Sequence, residues 1–102
     1  MALMLVLVTF PDDLTAKKMA GEVLKNKLAG CILRSKVNSI YLWDGEKQDD
    51  EEVVLLLKTT EENVEALERF ILSNHPYDTP AIISLKASAN DSYHQWLTST
   101  MS

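Results

Sequence analysis

The chain has a single cysteine, Cys31, so no internal disulfide can form. A lone thiol fits a reducing compartment, and the cytoplasm is the expected location. Basic residues are few: ten Lys and Arg stand against fifteen Asp and Glu, a net charge of −5. A surface of that sign repels phosphate, which argues against nucleic acid as a partner. Glycine and proline are scarce, three of each in 102 residues. Gly21, Gly30 and Gly45 stand far apart, so no Gly-rich phosphate loop exists. No His-x-x-x-His or Cys-x-x-Cys spacing occurs either, and one subunit alone has no preformed transition-metal cage. Residues 1–8 are apolar but too short to span a bilayer, and they lack the basic start and cleavage pattern of a secretion signal. What remains is one domain over residues 1–102, with no linker, no nucleic acid and no membrane.

Against these absences stands one long feature. Residues 32–43 carry no Pro or Gly and include Ile32, Val37, Ile40, Tyr41 and Trp43. Asp44-Gly45 follows, a strong signal for a type I′ turn, whose positive φ angles Gly adopts without strain. The return arm ends in Val53-Val54-Leu55-Leu56-Leu57-Lys58. Residues 31–58 therefore read as a single β-hairpin. At ~3.3 Å per residue its outgoing arm spans about 40 Å, long enough to overshoot a domain of this size.

The rest of the chain falls in order around that hairpin. Leu3-Met4-Leu5-Val6-Leu7-Val8 reads as a strand buried on both faces. Asp12 or Asp13 caps a helix that turns Met19, Ala20, Val23, Leu24 and Leu28 inward, and Gly30 is expected in the left-handed position that ends it. Thr59 with Glu62 reads as a capping box for a second helix with Val64, Leu67, Phe70 and Ile71 inward, stopped by Pro76. Residues 80–87 form a fourth strand, with Ile83, Leu85 and Ala87 alternating with Ser84 and Lys86. Asn90 or Asp91 then caps a short helix whose apolar stripe holds Tyr93, Trp96, Leu97 and Met101, which makes Trp96 a core residue. His94 beside the stripe is read as solvated. The order β-α-β-β-α-β-α predicts an α+β, ferredoxin-like βαββαβ antiparallel sheet with an extra C-terminal helix and a protruding hairpin between the second and third strands. Both main helices then cover one sheet face, yet the first strand and the return arm are apolar on both. Several hundred Å² of exposed apolar sheet is unusual for a soluble monomer, so the uncovered faces are expected to pack on further copies of the chain.

Thr9 with Pro11-Asp12, Ala29-Gly30-Cys31, Ser39-Ile40-Tyr41-Leu42-Trp43-Asp44-Gly45 and Glu51-Glu52-Val53 form an ordered series of short motifs. It continues through Lys58-Thr59-Thr60-Glu61, His75-Pro76-Tyr77 and Pro80-Ala81-Ile82 to Tyr93 and Trp96-Leu97. Over nearly its full length the chain resembles the CutA family of divalent-cation-tolerance proteins. The resemblance implies a cytoplasmic homotrimer of ferredoxin-like, PII-like subunits, linked to tolerance of copper and other divalent metals; with no phosphate loop or catalytic constellation in the sequence, no enzymatic activity is expected. The resemblance also implies copper ligands of the kind some members use: a Cys at the end of the first strand and two tandem His before Pro-Tyr. Here those positions hold Val8, Asn74 and His75, and Leu33 replaces a frequent Asn after the cysteine.

The candidate metal contacts are accordingly His75 and, less directly, Cys31. His75 is a borderline nitrogen ligand or a residue that bonds a free carbonyl at a helix end. Cys31 is a soft ligand or a small buried apolar residue. Copper or another divalent cation is expected to bind weakly, and no cofactor is required. Asp49, Asp50, Glu51 and Glu52 can gather hard cations or simply keep the hairpin soluble. Tyr41 and Trp43 are expected at the trimer interface. Two alternatives stand beside the metal reading. One is a PII-like sensor that binds a small anion or nucleotide in clefts between subunits through Lys58, Tyr77 and Trp43. The other is a trimeric platform without a ligand.

Overall fold

The computed structural model describes residues 2–102. It contains β1 (Ala2–Phe10), α1 (Asp13–Lys25), β2 (Cys31–Trp43), β3 (Glu46–Thr59), α2 (Val64–Asn74), β4 (Ile82–Ser88) and α3 (Asp91–Thr100). The four strands form one antiparallel sheet in the order β2-β3-β1-β4, the ferredoxin-like arrangement with an added C-terminal helix.

Strand alternation decides where the core lies. Val6, Val8 and Phe10 of β1 and Val53, Leu55 and Leu57 of β3 share one face, and all are buried beneath α1 and α2. The helices contribute Ala16, Met19 and Val23 from α1, and Leu67 and Ile71 from α2. Leu3 and Leu5 point the other way. There α3 covers one end of the sheet, with Leu97 and Met101 packed on Leu3 beside Leu5, Cys31 and Ala87. The rest of that face lacks a helix, and it exposes Leu33, Ile83 and Leu85.

The hairpin is the long feature expected. Register runs without a break from Cys31 opposite Lys58 to Trp43 opposite Glu46. Asp44 and Gly45 take φ angles of 52° and 77°, the pair of left-handed residues that a type I′ turn requires. Because β2 and β3 run well past the helices, the molecule measures 45 × 24 × 21 Å.

Several local expectations need correction. Gly30 does not end α1: Lys27 does, with φ 56°. Lys27 N–H donates to the Leu24 carbonyl and Leu28 N–H to that of Val23, which closes a Schellman motif around a lysine. Gly30 is required for another reason, since a Cβ there would lie 2.6 Å from Leu97 Cδ1 and 2.9 Å from Thr100 Cγ2. Thr59 and Glu62 form no capping box. Thr59 is the last residue of β3, fully buried, and its hydroxyl donates to the Leu28 carbonyl at 2.7 Å. α2 begins after a turn in which the Thr60 carbonyl accepts from the N–H groups of Asn63 and Val64. Leu24 is 45% exposed, and Trp96, expected in the core, is 48% exposed on the edge of α3. β4 begins at Ile82 rather than residue 80. His94 stands at the surface as expected, with its Nε2 2.9 Å from the Ala2 carbonyl.

Candidate functional site

The outer half of the hairpin, the end of β1 and the segment after α2 enclose an open groove of about 890 Å³. Its walls are Ser39, Tyr41 and Trp43 from β2, with Asp50 and Glu52 from β3. Thr9 and Pro11 close one end, and Pro76, Tyr77 and Asp78 the side opposite the hairpin. The pleat accounts for the strand residues, because every second side chain of β2 meets every second side chain of β3 on one face. Pro76 accounts for the loop: it stops α2 at Asn74 and leaves His75 extended, at φ −84° and ψ 140°.

Two phenol–carboxylate pairs organise the walls. Tyr41 donates to Asp50 Oδ2 at 2.6 Å, diagonally across the hairpin, and Tyr77 donates to Glu52 Oε2 at 2.7 Å. The pair on Glu52 joins the loop to the hairpin. Burial, followed by the hydrogen bond to Glu52 and its negative charge, pushes the Tyr77 phenol far above its ordinary range. The bond to Asp50 raises Tyr41 in the same direction. Both phenols stay protonated donors at any physiological pH.

His75 sits behind this wall. Its ring stacks on Phe10 at 4.6 Å and lies tilted against Tyr77 at 4.9 Å. Nε2 lies 2.8 Å from the Thr9 carbonyl, and Nδ1 accepts from the Tyr77 N–H at 3.1 Å. Both ring nitrogens are therefore engaged by backbone.

The residues singled out from the sequence do not form one site. Tyr41, Trp43 and Tyr77 meet in the groove, but Lys58 does not join them. It lies six residues along β3 from Glu52, about 20 Å at strand spacing. There its ammonium donates to Tyr93 Oη at 3.1 Å and sits 5.0 Å from the centre of that ring. That hydrogen bond is the chief reason the Lys58 ammonium is held above its ordinary value. Cys31 is half-buried at the same end, beside Lys58 on the α3 face, whereas His75 stacks on a side chain of the α1–α2 face. His75 and Cys31 thus lie on opposite faces of the sheet. Among the described residues, no three His, Cys, Asp or Glu side chains are grouped to hold a metal ion.

Asp50 and Glu52 stood in the sequence only as part of an acidic run. Their separate role as phenol acceptors follows from the alternation of β3, which was legible. It follows equally from the distant approach of Tyr77, which was not. The groove's lining includes no Lys or Arg, and its carboxylates suit cations better than anions.

Comparison with known proteins agrees with this architecture. Residues 4–100 match the family described as CutA1 divalent ion tolerance protein. The Divalent-cation tolerance protein CutA of Escherichia coli (strain K12 / DH10B) is 38% identical over 102 residues, which cover 98% of this chain and 91% of that protein. Among solved structures, divalent ion tolerance protein CutA1 from Ehrlichia chaffeensis superposes with a TM-score of 0.94 at 34% identity, covering 98% of this chain and 95% of that one. CutA1 from Pyrococcus horikoshii gives 0.92 at 36% identity, covering 95% and 96%. A profile match over nearly the whole length, together with a shared βαββαβ-α fold, places this chain in the CutA1 divalent ion tolerance family.

Proposed function

We propose that this chain serves divalent-cation tolerance as a cytoplasmic homotrimer that binds cations weakly and catalyses nothing. The observation that carries the assembly is the free end of the hairpin. Ile40 and Leu42 are exposed on one of its faces, and Trp43, 61% exposed, stands on the other with Tyr41. A single partner covers one face of a ribbon; covering both takes a contact on each side, which a closed ring of identical subunits supplies. Leu33, Ile83 and Leu85 on the helix-free sheet face add apolar surface to the same assembly. Three copies is the number the family resemblance implies.

The cation reading rests on carboxylates rather than on His75. A metal at His75 must first displace a backbone hydrogen bond, and the opposed positions of His75 and Cys31 keep them from sharing one ion. Asp50 and Glu52 already accept from tyrosines, which leaves Asp49 and Glu51 of the acidic run for hard cations, Asp49 accepting only a long bond from the Asn38 amide at 3.4 Å. Size exclusion with light scattering should give about three times 11.5 kDa. Titration calorimetry with Cu(II), Zn(II) and Mg(II) should show weak binding that survives His75→Ala and Cys31→Ser but falls in Asp49→Asn/Glu51→Gln. A monodisperse monomer would defeat the assembly reading, and loss of binding in His75→Ala would return the site to the imidazole.

A further inference from the structure

The polar atoms of the groove are largely acceptors. A tyrosine hydroxyl has one hydrogen to donate and two lone pairs. Tyr41 gives its hydrogen to Asp50 and Tyr77 gives its own to Glu52, so each phenol oxygen is left to accept. Each carboxylate uses one oxygen for its phenol. Among the described contacts the other, Oδ1 of Asp50 and Oε1 of Glu52, takes no bond. Glu51 and Asp78 add two further carboxylates to the lining, and no Lys, Arg or His stands among them. Such walls suit a ligand that brings positive charge and N–H donors and asks for no donor in return. An ammonium group answers that description, with three N–H groups and no lone pair.

The carboxylates are strung along the groove rather than gathered. Asp50 and Glu52 stand two residues apart on one face of β3, about 7 Å at strand spacing. Among the described residues no three acidic groups converge as one metal ion would need. The facing strand carries the rings of Tyr41 and Trp43, 40% and 61% exposed, and Tyr77 stands across from them. Aromatic faces attract a cation, and apolar surface accepts the methylene stem that carries it. We propose that the groove binds a linear aliphatic polyamine, one ammonium on Asp50 and the next on Glu52, its carbon chain running along Tyr41 and Tyr77 and outward to Trp43. Charge and shape select this occupant. An anion meets no cationic side chain here, a neutral apolar molecule strips water from carboxylates without pairing them, and a hydrated metal ion makes no use of the rings. Every acceptor comes from one chain, so the site stands apart from the assembly. It stands apart also from the metal reading, whose test substitutes Asp49 and Glu51.

Titration calorimetry of the full chain with spermidine at low ionic strength should show saturable one-to-one binding. Asp50→Asn and Glu52→Gln keep an acceptor for the phenol and remove the charge, so each should weaken spermidine by about tenfold. Glu22→Gln, exposed on α1, makes the same change in net charge outside the groove and should leave the affinity unaltered. In NMR spectra of the parent, spermidine should move the indole N–H of Trp43 and leave that of Trp96, on α3, in place. This measurement serves where a groove variant fails to fold. Three results would overturn the proposal. One is the absence of binding by the parent. Another is equal weakening by Glu22→Gln and Glu52→Gln, which would reveal diffuse attraction to a chain of net charge −5. The third is displacement of spermidine by Mg(II) at matched ionic strength, which would assign the groove carboxylates to hard cations.

Discussion

Tyr77 shows how one side chain couples pH to stability. Its phenol is raised above the ordinary value of 10.0, so the folded state favours the protonated form. The contribution is fully present below pH 10.0 and is lost as pH climbs from there toward the raised folded value. Lys58 and Tyr41, also raised, act in the same direction. Urea unfolding at a series of alkaline pH values should show stability falling above pH 10.0, with a shallower fall in Tyr77→Phe. Gly30 gives a second test. Its Cβ would meet the fully buried Leu97 at 2.6 Å, so Gly30→Ala should cost about 1–3 kcal/mol by overpacking, measured by denaturant midpoint. This is also where sequence reasoning failed at single residues. A glycine after a helix is a good sign of a left-handed end, and nothing local reveals that Leu97, sixty-seven positions away, lies against it. The Schellman lysine at position 27 was hidden for a related reason, since lysine carries no preference for φ 56° that a reader could use.

At the level of elements the hairpin was the most legible part, because its turn and its periodicity are both local. Asp44-Gly45 announced the turn, and alternation across residues 53–57 announced two apolar faces. Gly45→Val places a β-branched residue at φ 77° and should cost about 1–2 kcal/mol while leaving the groove's hydrogen bonds in place, observable by thermal melting with retained Tyr77 chemical shifts. The groove was legible by half. Tyr41, Trp43 and the acidic run were visible as residues, and the pleat of β3 sorts Asp50 and Glu52 to one side. That Tyr77 would reach Glu52 across α2 depends on how the helix packs, and helix packing is encoded in scattered core contacts rather than in any motif. Within one chain Lys58 lies away from the groove for a plain geometric reason: a strand carries residues six apart about 20 Å away from each other.

The whole molecule is a compact body with a ribbon projecting from it, 45 Å long and little more than 20 Å across. Trp43 at the ribbon's end is already 61% exposed in the single chain, so truncating it removes little intramolecular packing. Any large loss on Trp43→Ala therefore reports a partner. We expect assembly to weaken by about 2–4 kcal/mol, seen as a concentration-dependent shift to smaller species in light scattering. The same ribbon has a consequence in time. Its partners lie close in the chain, as Ile40 with Asp49, whereas β4 must find β1 across the whole chain, as Leu85 with Leu5. A hairpin zips in roughly microseconds, and pairs distant in sequence close much later. The ribbon should thus form first and act as the template on which β1 docks, with β4 arriving last. Core substitutions in β3 then slow refolding, while substitutions in β4 chiefly speed unfolding.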